Sequence, residues 1–180
     1  QLVDTTWDDS DSSQYKTDYL MPPPEVMIVS HLPEMSDWQL LEVAKSQKYF
    51  QKQPLLKPQF FRENLEIISP TEYQTSSKQK AVIEIKTSPD YQKKIAAFFV
   101  EIKKYKPSLW SLLGSNPLEQ ESQVEEEMCQ SQQNLGEIIQ ISCQFPHPGD
   151  YQVLLVSFEQ DSNLARNNAS VIGQLSFIYL

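Results

Sequence analysis

The sequence predicts a mainly β protein built as an antiparallel sandwich, and three observations carry that prediction. First, in residues 137–145 the apolar Ile139, Ile141, Cys143 and Phe145 alternate with Gln140, Ser142 and Gln144, the period-two pattern of a strand with one wet face. Second, residues 151–158 are apolar at nearly every position, which suits a strand covered on both faces. Third, the remaining strand candidates, residues 60–68, 81–86, 95–103 and 171–180, are short and separated by polar turns, a spacing that favours a sandwich over alternating strands and helices. Six such strands fit an immunoglobulin-like architecture, although the Cys and Trp spacing of antibody domains is absent.

Between the first two segments stands Pro146-His147-Pro148-Gly149-Asp150. Its prolines fix φ and withhold donors while Gly149 tolerates positive φ, so the sequence reads as a hairpin at the centre of one sheet. Residues 2–7 form a strand candidate, residues 8–13 a polar loop, and residues 15–20 a possible returning strand. Pro22-Pro23-Pro24 argues against a helix or central strand there. A new unit begins near Ser36, and residues 46–53 suit a short helix with Ser46 as N-cap and Pro54 at its end, Tyr49 and Phe50 tucking under the domain. A long connection over about residues 106–133 holds Leu109, Trp110, Leu112 and Leu113 and then an acidic run. The expected domains are residues 1–35, the end of a preceding core, and residues 36–180, the sandwich with its acidic loop.

Composition excludes several functions. The 180 residues carry a net charge of −9, which argues against nucleic acid or an anionic membrane as partner, since both reward clustered Lys and Arg. No apolar run approaches the roughly 20 residues of a membrane helix. Gln1 stands where a leader or initiator Met would be, so the segment is expected to sit inside a longer polypeptide. Cys129 and Cys143 do not make a disulfide framework. Cys143 reads as a small buried thiol, and Cys129 as an unreactive thiol among carboxylates. That sparing use of cysteine, set against the formal glycosylation triplet Asn168-Ala169-Ser170, favours a cytoplasmic setting.

Candidate chemistry is sparse. Asp8, Asp9 and Asp11 suggest a cation loop, but the loop-bending Gly and terminal Glu of a calcium site are missing. His31 and His147 are the only histidines, too few for a His-rich zinc site, and no metal or cofactor is expected. Cys143 and His147 are four residues apart, about 13 Å along an extended strand, beyond the reach of a nucleophile and base pair. Lys93, Lys94, Lys103, Lys104 and Lys106 around one strand, followed by the glutamates between 119 and 127, read as a solvated or charge-paired edge or as a docking surface for a charged partner.

Leu2-Val3-Asp4-Thr5-Thr6-Trp7, His31-Leu32-Pro33 and Trp38-Gln39-Leu40-Leu41, followed by Pro54-Leu55 and Phe60-Phe61, resemble the end of a transglutaminase-like core in the kyphoscoliosis peptidase and hillarin family. Phe145-Pro146, Pro148-Gly149 and Tyr151 resemble that family's immunoglobulin-like domain. The resemblance implies that Asp4 is the carboxylate of a Cys-His-Asp triad, orienting the imidazole and favouring its charged form. A strand-end aspartate capping a turn is the plainer alternative. Asp8 and Asp9 replace the glycines that usually follow the family's Trp. The triad Cys and His lie upstream of this aspartate in the family, so these 180 residues are expected to be inactive alone. The resemblance further implies protein partners, a cytoskeletal setting, and an upstream transglutaminase-like core in the same polypeptide. A non-catalytic structural or binding module is the competing reading.

Overall fold

A computed structural model describes residues 19–102, 127–134, 137–159 and 169–180. Among them, β2 (Glu66–Ser69), β4 (Lys80–Lys86), β8 (Ile138–Gln144) and β7 (Gln130–Asn134) lie side by side in that order as an antiparallel sheet. The second sheet runs β1 (Leu55–Leu56), β10 (Ala169–Tyr179), β9 (Gly149–Phe158), β5 (Lys94–Glu101) and β6 (Glu127–Met128), with β3 (Gln74–Ser77) parallel to β10. Lettered in chain order, the first sheet is A-B-E-D and the second is C′-C-F-G, with β3 the half of the first strand that changes sheets. That is the order of an immunoglobulin-like sandwich.

The core follows from the alternation seen in the sequence. Ile83, Ile85, Ile139, Ile141 and Cys143 point inward from the first sheet, and Ala97, Phe99, Val153, Leu155, Leu175 and Phe177 meet them from the second, all in one buried cluster. β4 and β9, the strands that carry the bridge in antibody domains, hold aliphatic residues here. The continuous apolar run of β9 is also explained. Its outer face contributes Val156 and Phe158 to a second buried cluster with Ala96, against which Phe98 and Ala169 pack. On β10 a register shift falls between Val171 and Gly173. A Cβ on Gly173 would stand 3.0 Å from Leu56 Cδ2, so the missing side chain lets β1 pair at this point.

Several local expectations change. β8 and β9 do not pair; they belong to different sheets, so the Pro146–Pro148 turn is an arch over the top of the sandwich. Gly149 opens β9 instead of occupying a left-handed turn position. Residues 60–68 divide into helix α3 (Pro58–Arg62) and β2, because Pro58 supplies the fixed φ of a first helical position. The same rule overturns the reading of the triple proline, since Pro24 opens helix α1 (Pro24–Met27). Helix α2 (Gln47–Lys52) forms as expected, with the Ser46 side chain accepting from the Tyr49 amide. Its Tyr49 is exposed, with Lys45 Nζ 4.7 Å from its ring centre, and Phe50 is half-buried. β5 is an interior strand, and Lys93 beside it pairs with Glu63 and Glu159.

The largest correction concerns the acidic connection. Its last residues form β6 and β7, and the chain crosses from one sheet to the other at Cys129. Cys129 lies opposite Cys143 and the two form a disulfide with Cα atoms 4.4 Å apart, so neither is a free thiol. The pairing was hidden because residue 129 read as loop, whereas the register Gln130↔Ser142 brings the cysteines together.

Candidate interaction surface

Asp4, the Asp8, Asp9 and Asp11 cluster, Lys103, Lys104, Lys106, and the apolar set 109–113 lie outside the described residues, as does Asn168 of the triplet. Of the other singled-out residues, His147 sits on the arch with Nε2 3.6 Å from Glu101, while Cys143 is buried in its disulfide. The two form no catalytic pair. Among the described residues no three His, Cys, Asp or Glu side chains are grouped to hold a metal ion, and no helix is long and apolar enough to cross a membrane.

The Glu63 carboxylate, just beyond α3, is deeply set, its side chain 7% exposed. It accepts hydrogen bonds from Tyr91 Oη at 2.8 Å, Lys93 Nζ at 3.0 Å and Ser157 Oγ at 3.0 Å, with Gln59 Nε2 as a fourth donor. Burial pushes its pKa up, but the four hydrogen bonds together outweigh burial and the net shift is downward. Burial and the Glu63 carboxylate raise the Tyr91 pKa. The Lys93 ammonium is raised chiefly by its bond to Glu63, against a smaller effect of burial. With donors from three parts of the chain on its oxygens, Glu63 clamps the helix to the C and F strands.

The remaining feature is a surface. Residues 20–55 lead into β1 beside β10, and two buried glutamines tie this segment to itself. Gln53 Nε2 donates to the carbonyls of Ile28 at 3.0 Å and Val29 at 3.2 Å, fixing the end of α1 to α2. Gln39 receives the Lys45 amide at 2.7 Å and donates to the Lys45 carbonyl at 2.9 Å, closing the loop between them. His31 stacks edge-on against Tyr19, their ring centres 5.7 Å apart.

This anchored segment turns apolar side chains outward. Trp38 is 59% exposed, Leu40 53%, Met21 52% and Val43 71%, with Leu20, Met35, Tyr49 and Leu55 also exposed. Two clefts of about 390 and 380 Å³ flank α1 and share Phe61 as a wall; Leu20, Met21 and Val26 line one, while Ile28, Leu41 and Tyr49 line the other. Met21 and Leu40 both have φ of 57°, a left-handed conformation that costs a side-chain-bearing residue roughly 1–2 kcal/mol. Sequence reading singled out Trp38, Leu40 and Leu41 as part of a motif but not as an exposed face. The available signal was a dense set of large apolar residues with neither helical nor strand period.

The fold and its loops define an immunoglobulin-like domain. Residues 47–167 match the family model of the KY-like, immunoglobulin-like domain. The match takes in more than half of the chain, which therefore belongs to that family. The search of curated proteins finds no match to this sequence.

Proposed function

We propose that this domain is a protein-docking module whose binding face is the apolar surface of residues 20–55. The observation that carries the reading is the exposure of Trp38, Leu40, Met21 and Val43 on a segment tied together by the bonds of Gln39 and Gln53. Large apolar groups grouped in the open mark interaction sites, and a central aromatic side chain is the usual anchor of such a site. The left-handed backbone at Met21 and Leu40 supports the same reading, because strain of this kind gathers where side chains are presented to a ligand.

The partner we propose is a transglutaminase-like core in the same polypeptide, with Asp4 as the carboxylate that orients the catalytic imidazole. The resemblance of the first 41 residues supports this, as does the presence of Met21, Met35, Trp38 and Leu40 of the apolar face within them. In this reading the sandwich is a support for the core's last strands, and the family resemblance is what suggests a cytoskeletal setting. The test is a pair of variants in a polypeptide that carries the proposed core ahead of this domain. Trp38→Ser is expected to loosen the core from the domain, and Asp4→Ala to abolish amide hydrolysis or cross-linking. Activity unchanged by Asp4→Ala would leave a binding module without the triad.

A further inference from the structure

We propose that the Cys129–Cys143 disulfide is a reducible clasp that holds β6 and β7 on the sandwich and releases them when a thiol reductant opens it. The bridge differs in placement from the one that joins the two sheets of antibody domains at their centre. It ties the point where the chain changes sheets to the neighbouring strand of the first sheet.

What else holds this stretch is slight. β6 has two residues and β7 is the outermost strand of its sheet. From Glu127 to Asn134 there is no β-branched or aromatic residue, the types that pack best on a pleated surface. Glu127, Met128, Gln130 and Ser131 are exposed, while Cys129 is buried and belongs to the core cluster. Cys129 is thus the apolar anchor of the stretch. The stretch's described attachments include the ladder to β8, the short pairing of β6 with β5, the Cys129 amide donating to the Ala97 carbonyl at 2.9 Å, and Ser131 Oγ donating to the Ile95 carbonyl at 3.1 Å. The strands beneath do not depend on the bridge, since β4, β5, β8, β9 and β10 each supply aliphatic or aromatic side chains to the core.

Cys129 and Cys143 are themselves buried, so a thiolate reaches the bridge when the edge stretch opens locally, and the surface beside it is recessed. A cleft of about 400 Å³ is lined by Met128, Gln130, Ser142 and Gln144, the chain neighbours of both cysteines. In the reaction a dithiol's thiolate attacks one sulfur and the Sγ–Sγ bond breaks. The dithiol's second thiolate then attacks the reagent sulfur of the mixed disulfide, breaking that bond and releasing the second cysteine as thiolate. Cys129 and Cys143 gain two electrons and two protons as thiols, and the dithiol becomes its own disulfide.

Amide hydrogen exchange of the whole chain, before and after reduction with dithiothreitol, tests the clasp. Exchange at 127–134 is expected to accelerate by about tenfold or more, while β4, β5, β9 and β10 keep their protection. The Cys129→Ala/Cys143→Ala variant is expected to show the same pattern without reductant and no response to it. Unchanged exchange at 127–134 would overturn the proposal. So would equal acceleration in every strand, which would make the bridge a staple of the whole fold. Alkylation trapping that finds two free thiols in the protein folded in air would overturn it as well.

Discussion

The Tyr151 hydroxyl donates to the main-chain carbonyl of His147 at 2.8 Å. The ring is almost wholly buried, stacked on Phe145 with centres 4.3 Å apart and edge-on to Phe99 at 5.8 Å. One side chain at the start of β9 thereby ties down the arch from β8 and joins the two sheets, the arrangement of the tyrosine corner in immunoglobulin-like domains. Tyr151→Phe keeps the rings and removes the bond. It is expected to lower stability by about 1–2 kcal/mol, read as a lower urea midpoint at unchanged slope.

Glu63 makes stability depend on acid. Its folded pKa lies below its ordinary value, so its contribution is complete above the unfolded pKa of about 4.3 and is lost as pH falls through the folded value. Glu63→Gln is expected to flatten the decline of stability below about pH 4.5. Glu63→Ala leaves Tyr91, Lys93 and Ser157 without their acceptor and is expected to cost about 2–4 kcal/mol at neutral pH. Denaturation curves across the acid range check both variants.

Gln53 is expected to act locally. Gln53→Ala frees the Ile28 and Val29 carbonyls at a cost of about 1–2 kcal/mol, and the loss belongs to the segment around α1 more than to the sandwich. Limited proteolysis should therefore cut between residues 24 and 45 faster than in the unaltered chain, with the β-sheet core surviving as a resistant fragment.

Leu40 separates strain from binding. Replacing it with glycine removes a left-handed side chain, so Leu40→Gly is expected to keep stability or raise it by up to about 1 kcal/mol. The same change removes an exposed apolar group from the proposed docking face and should weaken partner binding. Thermal unfolding and a binding titration, made on the same preparation, check the opposite signs.

The sandwich was legible wherever one strand face is dry and the other wet. β4, β8 and the continuous run of β9 all announce their burial in the order of their side chains. Which strands pair is a different matter, because alternation gives a strand its faces but not its neighbour. Thus β8 and β9, consecutive and separated by a proline-rich turn, read as a hairpin although they lie in different sheets. β7 has no apolar side chain on which to read a period, and missing it concealed the disulfide. With both cysteines paired, cysteine usage no longer argues for a reducing compartment. The proposed docking face was half-visible: Trp38-Gln39-Leu40-Leu41 stood out as a motif, but the bonds that Gln39 and Gln53 make within residues 28–53 and the outward turn of the apolar groups appear only in the structure.

The central claim is that the surface of residues 20–55 is covered by a partner, and Trp38 reports on it most directly. Hydroxyl-radical footprinting of Trp38, Met35 and Met21 should be compared between this 180-residue chain and a longer polypeptide in which the proposed transglutaminase-like core precedes it. Strong labelling in the chain alone, and protection of all three in the longer polypeptide that Trp38→Ser relieves at the methionines, is the result expected. Equal labelling of the three side chains in both would contradict the docking function.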